Sequence, residues 1–419
     1  MKKFSSGLRM ILMIGCCGAL AIFSSTISKS PILPIFAESL GATGAQIGWI
    51  ASASTIPGIL VSYIAGHLAD RYGYKKILIG SLLIFATAPF LYLLVQSPLG
   101  LGTVRFYHGF ATAAFGPVAM ATIAAFSGKN TGQNLSLYSS ATMIGRALAP
   151  TVGGGAYEVG GHVSVYLIAG VAGILALGVV LWFFHRPGET EDKEAARVSK
   201  TESEKLSFFG KLWGLLRYRP LLFVGILDAC VYFAYGAFEM IFPLYAKQIG
   251  MSPSQIGVLL GVQLAGIILF KPLFGRASDK LGRLPMMITG LLVCALSFLL
   301  LAVIKSVFVL IPLIIIYGLG FALITASTSA FAADVARQGQ LGASLGILST
   351  LMDVGQTFGP PAIGSVSDTY SYSAGIGVLG AVLLIAAFFC LVWYWKKRLS
   401  EQDWRKHPRR SIDKSDKST

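Results

Sequence analysis

A few side chains able to pair charge or exchange a proton stand inside runs that are otherwise apolar. Asp228, Tyr232, Tyr235 and Glu239 fall at i, i+4, i+7 and i+11 of one run, which places them on a single stripe of a helix. Arg105, His108 and Thr112 make a second stripe, Lys29 shares a face with Ser25, and Arg146 and Asp353 stand alone in two further runs. The chemistry open to such groups is ion pairing and proton binding. A proton neutralises an acid in apolar surroundings at far lower cost than burying it charged, and histidine titrates near physiological pH. Three cations (Lys29, Arg105, Arg146) face three acids (Asp228, Glu239, Asp353), so one reading is a permanently paired network that only ties helices together. The other is a proton-coupled site, with Glu239 the first choice for the coupling acid, Asp228 the second, and Asp353 structural. His108 is either a further titrating group or a hydrogen-bond partner of a neighbouring helix.

The elements that must hold these residues are membrane spans. Hydrophobic residues make up 54% of the 419 and charged residues 13%, where a soluble domain carries roughly 25% charged. Apolar stretches fall at 10–37, 45–66, 77–96, 102–126, 135–157, 163–185, 221–246, 253–275, 285–304, 307–332, 342–365 and 373–395. Each is near the ~20 residues that cross the hydrocarbon of a bilayer. The expected fold is therefore all-α integral membrane, with twelve transmembrane helices in two six-helix bundles. The net charge of +15 does not mark a nucleic-acid binder. Of 34 Lys and Arg, Lys247 and Lys305 lie in the even-numbered connections and Lys29, Arg105 and Arg146 within spans. The others gather at the termini, in the odd-numbered connections or at span ends facing them. That asymmetry predicts a multi-pass inner (plasma) membrane protein with both termini in the cytoplasm.

Half the chain repeats the other half. Pro34 to Gly73 aligns without a gap to Pro243 to Gly282, a constant shift of 209 residues that carries GHLADRYG onto GRASDKLG. Two such copies imply pseudo-symmetric halves around a central site. Under this shift Lys29 meets Phe238 and Ser30 meets Glu239, so Lys29 and Glu239 lie at nearly one depth and are expected to pair in at least one conformation. The units are residues 1–185, a cytoplasmic linker at 186–220, residues 221–395, and a basic cytoplasmic tail at 396–419. The linker is charged up to about Lys205. From Leu206 to Arg219 it mixes Phe208, Phe209, Leu212 and Trp213 with basic residues, either a short amphipathic helix on the inner leaflet or a plain connector. The N-terminus has the look of a signal peptide, but cleavage there would remove part of a span whose counterpart is intact. The five cysteines lie in apolar runs without metal or redox spacing, and neither a metal nor a cofactor is expected.

Three motifs carry a family resemblance that covers essentially the whole chain. GHLADRYGYKK at Gly66–Lys76 resembles the loop signature of the major facilitator superfamily, and GRASDKLGR at Gly275–Arg283 repeats it. RFYHGFATAAFG at Arg105–Gly116 resembles the family's fourth-span arginine motif, with His108 where glutamine is usual. GRALAPTVGG at Gly145–Gly154 is similar to the antiporter signature of the fifth span, with Ala149 replacing a glycine. GQTFGPPAIG at Gly355–Gly364 is its weaker copy. The resemblance implies a cytoplasmic gate at Gly66, Asp70, Arg71, Gly73, Gly275, Asp279 and Gly282. It also implies helix packing through Gly145, Ala149, Pro150, Gly153, Gly154, Gly359 and Pro360, and a link between Arg105 and proton transfer. In that family the first and seventh spans line a central cavity, which would hold Lys29, Arg105, His108, Arg146, Asp228, Tyr232, Tyr235, Glu239 and Asp353.

The resulting expectation is a secondary transporter, most like the twelve-span drug:proton antiporter branch, which exports a small organic solute by alternating access. Protons are the expected coupling ion with sodium also open, membrane lipid is the surrounding partner, and a monomer is the working unit. The alternatives are a proton symporter or facilitator importing a metabolite, and a transport-inactive receptor or scaffold. No nucleotide loop or supported Ser/His/Asp constellation marks an enzyme.

Overall fold

In a bilayer each backbone N–H and C=O must be bonded inside its own element, and the described residues meet that demand with helices. A computed structural model describes residues 6–59, 73–127, 130–184, 218–336 and 341–406. The helices are α1 (Ser6–Ile27), α2 (Ile32–Ser39), α3 (Gly44–Ser52), α4 (Tyr74–Tyr92), α5 (Pro98–Ser127) and α6 (Thr131–Phe184). They continue with α7 (Arg219–Gln248), α8 (Pro253–Leu281), α9 (Arg283–Val303), α10 (Val307–Val335), α11 (Leu341–Thr369) and α12 (Tyr372–Lys406). α6 is two crossings joined at Gly160 and Gly161, where φ/ψ of −146°/24° and 62°/−154° leave helical geometry. Eight described stretches are long and apolar enough to span a membrane, one of them the doubled α6. With α5, α11 and the crossing that α3 opens, the protein is an integral membrane bundle of twelve transmembrane helices in two halves. The expected amphipathic segment at 206–219, its last two residues apart, and the tail beyond Lys406 lie outside the described residues.

The repeat in the sequence is a repeat in backbone conformation. Gly41 and Gly250 both turn with positive φ (79° and 91°). Two residues on, Thr43 and Ser252 cap α3 and α8 with reciprocal bonds to Gln46 and Gln255. Gly73 and Gly282 again share positive φ (90° and 94°) at the starts of α4 and α9.

One expected span is broken. Residues 10–37 read as continuous, yet α1 stops at Ile27 and α2 restarts at Ile32 around a turn at 28–31. Pro31 lacks the N–H that would continue the ladder, and a turn replaces the helix at 28–31. Met240 occupies the matching place in α7 and has its N–H, so that helix runs through unbroken.

The halves meet at one end, the face opposite the chain termini, here the distal face. The two small-residue motifs make the joint. Near mid-depth they pack within each half: a Cβ on Gly145 would strike the Ala19 carbonyl and one on Gly355 the Ala229 carbonyl. One to two turns further out they pack between halves, Gly154 against Pro253 and Gly257, and Gly364 against Gly44, while Pro150 and Pro360 lie on Gly257 and Gly48. Phe36, Ile47 and Tyr166 share a core there with Phe238, Phe242 and Leu244 of the other half. Leu82, Phe85 and Phe115 keep a separate core within the N-terminal half. Inter-half bonds run inward as far as Thr55 Oγ1 and Thr357 Oγ1, 2.7 Å apart. Beyond them Gly58 and Gly266 have no close neighbour among the described residues. The halves are zipped distally and diverge towards the termini.

Gly257→Leu would drive a side chain into the Pro150 carbonyl. Overpacking costs roughly 1–3 kcal/mol, enough to shift a two-state balance about 5- to 150-fold. We expect normal membrane insertion and greater labelling of a cysteine placed at the distal mouth; unchanged labelling would show that this contact does not hold the joint.

Candidate functional site

The break between α1 and α2 is what delivers a cation to the joint. The turn is held by the Lys29 and Ser30 N–H groups donating to the Thr26 carbonyl at 3.0 and 2.9 Å. From it Lys29 Nζ reaches Glu239 Oε2 of α7 at 2.6 Å, with the two side chains 22% and 13% exposed. The other carboxylate oxygen, Oε1, accepts from the Tyr235 hydroxyl one turn earlier at 2.9 Å. Both oxygens are therefore satisfied, which a partly buried pair needs to offset desolvation. Tyr235 stacks on Phe321 of α10, with centroids 4.5 Å apart, and Tyr232 meets the same ring edge-on at 5.4 Å. These rings give the ion pair an aromatic wall.

Closer to the terminal face, Asp228 is buried beside Thr328 of α10, with Oδ1 unpartnered among the described residues. Lys271 of α8 lies within its electrostatic reach. Arg146, exposed on the first arm of α6, acts on Glu239, Tyr232, Tyr235 and Lys271, and half-buried Asp353 of α11 acts on Tyr232. The structure thus gathers Lys29, Arg146, Asp228, Tyr232, Tyr235, Glu239 and Asp353 around one cleft. Lys271 joins them, though its place ten residues before Leu281 had assigned it to the charge of the adjoining loop. The signal available was its position inside the apolar run 253–275.

Arg105 and His108 are elsewhere. They lie inside the N-terminal half, 3% and 1% exposed, between α4, α5 and the second arm of α6. The Tyr92 hydroxyl is 3.4 Å from His108 Nδ1 and also meets Arg105; Tyr92 stacks on Tyr166 at 4.4 Å, and Phe85 meets His108 edge-on at 5.5 Å.

The distal rim above the cleft is closed by paired polar contacts that obey the repeat. Glu38 and Lys247, 209 residues apart, form an ion pair of 2.7 Å, with Tyr372 donating to the other Glu38 oxygen at 3.2 Å. Asp368 of α11 accepts from the Gly44 and Ala45 N–H groups at the start of α3, at 2.6 and 2.9 Å. Glu158 of α6 does the same for Ser254 at the start of α8, at 3.1 Å. Each half supplies a carboxylate to an orphan helix N-terminus of the other.

Of the loop signature, Gly66, Asp70 and Arg71 lie outside the described residues. In the second copy Asp279 pairs with Arg283, which also donates to Asp334 at the end of α10 at 2.9 Å and to Ser278 at 2.7 Å. Gly275 makes no close helix contact among the described residues.

A helical bundle of two repeated halves enclosing a charged, aromatic cleft defines a membrane carrier, and the comparisons agree. The Major Facilitator Superfamily profile matches residues 14–250 and 226–418, and the chain belongs to that family. It is 24% identical over 365 residues to the quinolone resistance protein NorA of Staphylococcus aureus, covering 85% of this chain and 90% of the relative. An uncharacterized MFS-type transporter of Methanocaldococcus jannaschii is 24% identical over 361 residues, 84% of this chain and 92% of that one. Among solved structures, a bacterial homolog of the human lysosomal transporter Spinster, inward-facing and unoccupied, superposes with TM-score 0.78 at 16% identity over 93% of this chain and 97% of its own. The nucleoside transporter NupG gives 0.73 at 16% identity, over 93% and 99%. The protein is an integral membrane transporter, not an enzyme.

Truncating one member of a buried pair strands the other, at about 3–5 kcal/mol. Lys29→Ala should therefore lower stability in detergent sharply, and adding Glu239→Ala should return part of it. Coupling in the double-mutant cycle should fall within roughly 0.5–3 kcal/mol; strictly additive losses would show that the pair contributes nothing.

Proposed function

We propose that this transporter exports a small organic solute in exchange for protons. The observation that carries the reading is the Lys29–Glu239 ion pair, which bridges the two halves beneath the closed distal rim. An exchanger must not reorient empty. In the empty, deprotonated carrier the pair ties the halves together distally and acts as that lock. A proton on Glu239 removes one charge, and a solute with its own polar group inserts between the partners; either releases the lock. Because both use the same carboxylate, they ride in alternate half-cycles, which is antiport. Asp228, deeper in the cleft, is the second coupling candidate.

The basic residues gathered on the terminal face support placing that face in the cytoplasm of a plasma membrane. The cleft then opens inward and loads solute from the cell. The aromatic wall of Tyr232, Tyr235 and Phe321 favours an apolar or aromatic body. NorA's name as a resistance protein supports export. A single chain holds both halves of the site, so the monomer is the working unit. When the cleft closes at the terminal face, the two loop signatures with Asp70 and Asp279 form the gate there.

Proteoliposome flux of a panel of small organic compounds, with and without an imposed pH gradient, tests this. Wild-type protein should move solute against an inward proton gradient. Glu239→Gln, locked open to reorientation, should lose gradient-driven transport about tenfold or more while still binding solute, the loss of one charge-assisted interaction. Solute moving with the protons would make the protein an importer, and dependence on sodium would replace the coupling ion. Full gradient-driven transport by Glu239→Gln would move the coupling role to Asp228 or His108.

A further inference from the structure

The two acids of the distal rim that reach helix starts sit at the wrong ends of their own helices. Asp368 is one residue from the end of α11, and Glu158 two residues before α6 breaks at Gly160. The open carbonyls of a helix C-terminus disfavour an anion there. Neither carboxylate therefore serves the helix that carries it, yet both halves place one alike, four residues after Gly154 and after Gly364. The receiving ends show the complement. On α3 the capping box uses the Thr43 N–H, which donates to Gln46 Oε1 at 3.0 Å, and the Gln46 N–H, which donates to Thr43 Oγ1 at 3.3 Å. The Ile47 N–H donates to the Thr43 carbonyl at 2.8 Å. Gly44 and Ala45 are left over, and Asp368 accepts from both. On α8, the N–H groups of Ser252, Gln255 and Ile256 repeat those three bonds at 2.9, 3.3 and 3.0 Å. Pro253, where α3 has Gly44, carries no N–H. Ser254 alone is left over, and Glu158 accepts from it. Each acid thus makes as many bonds as its target helix leaves open. A Cβ at Gly44 would also strike the Asp368 carboxylate, so the closer contact requires glycine.

We propose that Asp368 and Glu158 are positioning residues of the transport cycle, which hold the distal gate shut by placing negative charge across the joint, Asp368 the more strongly. When the rim parts, each acid is left against the carbonyl end of its own helix, and the starts of α3 and α8 lose their anions. Both ends of each contact therefore oppose opening. This device is separate from the Lys29–Glu239 pair, and it holds whichever ion drives transport and in whichever direction the solute moves.

The test reads the gate by spin labels at Leu99 and Phe308, exposed positions at the distal starts of α5 and α10. It uses full-length protein with the native cysteines replaced, at neutral pH and with Glu239 intact. Glu158→Ala should raise the ratio of long to short distances about threefold, the size of one anion at a helix N-terminus, and Asp368→Ala, which removes two bonds, about tenfold. Asp368→Glu, which keeps the charge, should return the distribution towards wild type, a rescue that a loss of packing would not show. Removing both acids should open the gate further than either change alone. Distances unchanged in both alanine proteins would overturn the proposal, as would an Asp368→Ala effect that Asp368→Glu fails to reverse. A larger shift from Glu158→Ala than from Asp368→Ala would overturn the ranking by donor count. If Asp368→Ala does not insert, Glu158→Ala decides: no shift there overturns the gate role.

Discussion

A lone charge within a bilayer costs roughly 2.5–3.5 kcal/mol on insertion scales, and this protein answers that constraint with groups from its other half. Lys29 within the span is satisfied by Glu239, and at the rim above it Glu38 pairs with Lys247. The first N–H groups of α3 and α8 are satisfied by Asp368 and Glu158. All of these are made together in the distally closed conformation described. Interlocked polar contacts over glycine-backed joints favour a two-state closure over a graded one.

The rim contacts obey the two-fold repeat, whereas the ion pair in the cleft departs from it. Lys29 stands where the second half has Phe238, and Glu239 where the first has Ser30. Pro31 breaks the first span and Met240 leaves the seventh intact. Symmetry thus provides two halves that close on each other, and a local breach of symmetry provides the titratable pair between them. On the proposed exchange, its position under the rim is what would couple protonation of one residue to the whole joint.

Much of this was legible in the chain. The 209-residue shift foretold matching turns, since Gly41, Thr43, Gln46 and Gly73 each recur with the residue type their backbone geometry demands. It also placed Lys29 and Glu239 at one depth. The break at 28–31 is invisible to hydropathy, which continues through it. Lys271 was misassigned because a basic residue next to a loop motif reads as topogenic charge; only the packing of α8 on the cleft shows it facing Asp228. Arg105 and His108 were visible as a polar stripe. Which neighbour that stripe faces depends on how α5 is rotated in its bundle, and periodicity along one helix carries no such information.

The claim that the Lys29–Glu239 pair locks the distal joint is tested most directly by distance. Spin labels at Val159 and Tyr370, exposed distal positions in opposite halves, can be introduced into protein whose five cysteines are replaced. The account predicts one short distance in alkaline buffer, with a longer population appearing on acidification and already present in Glu239→Gln without acid. A distance distribution unaffected by either acid or Glu239→Gln would contradict it.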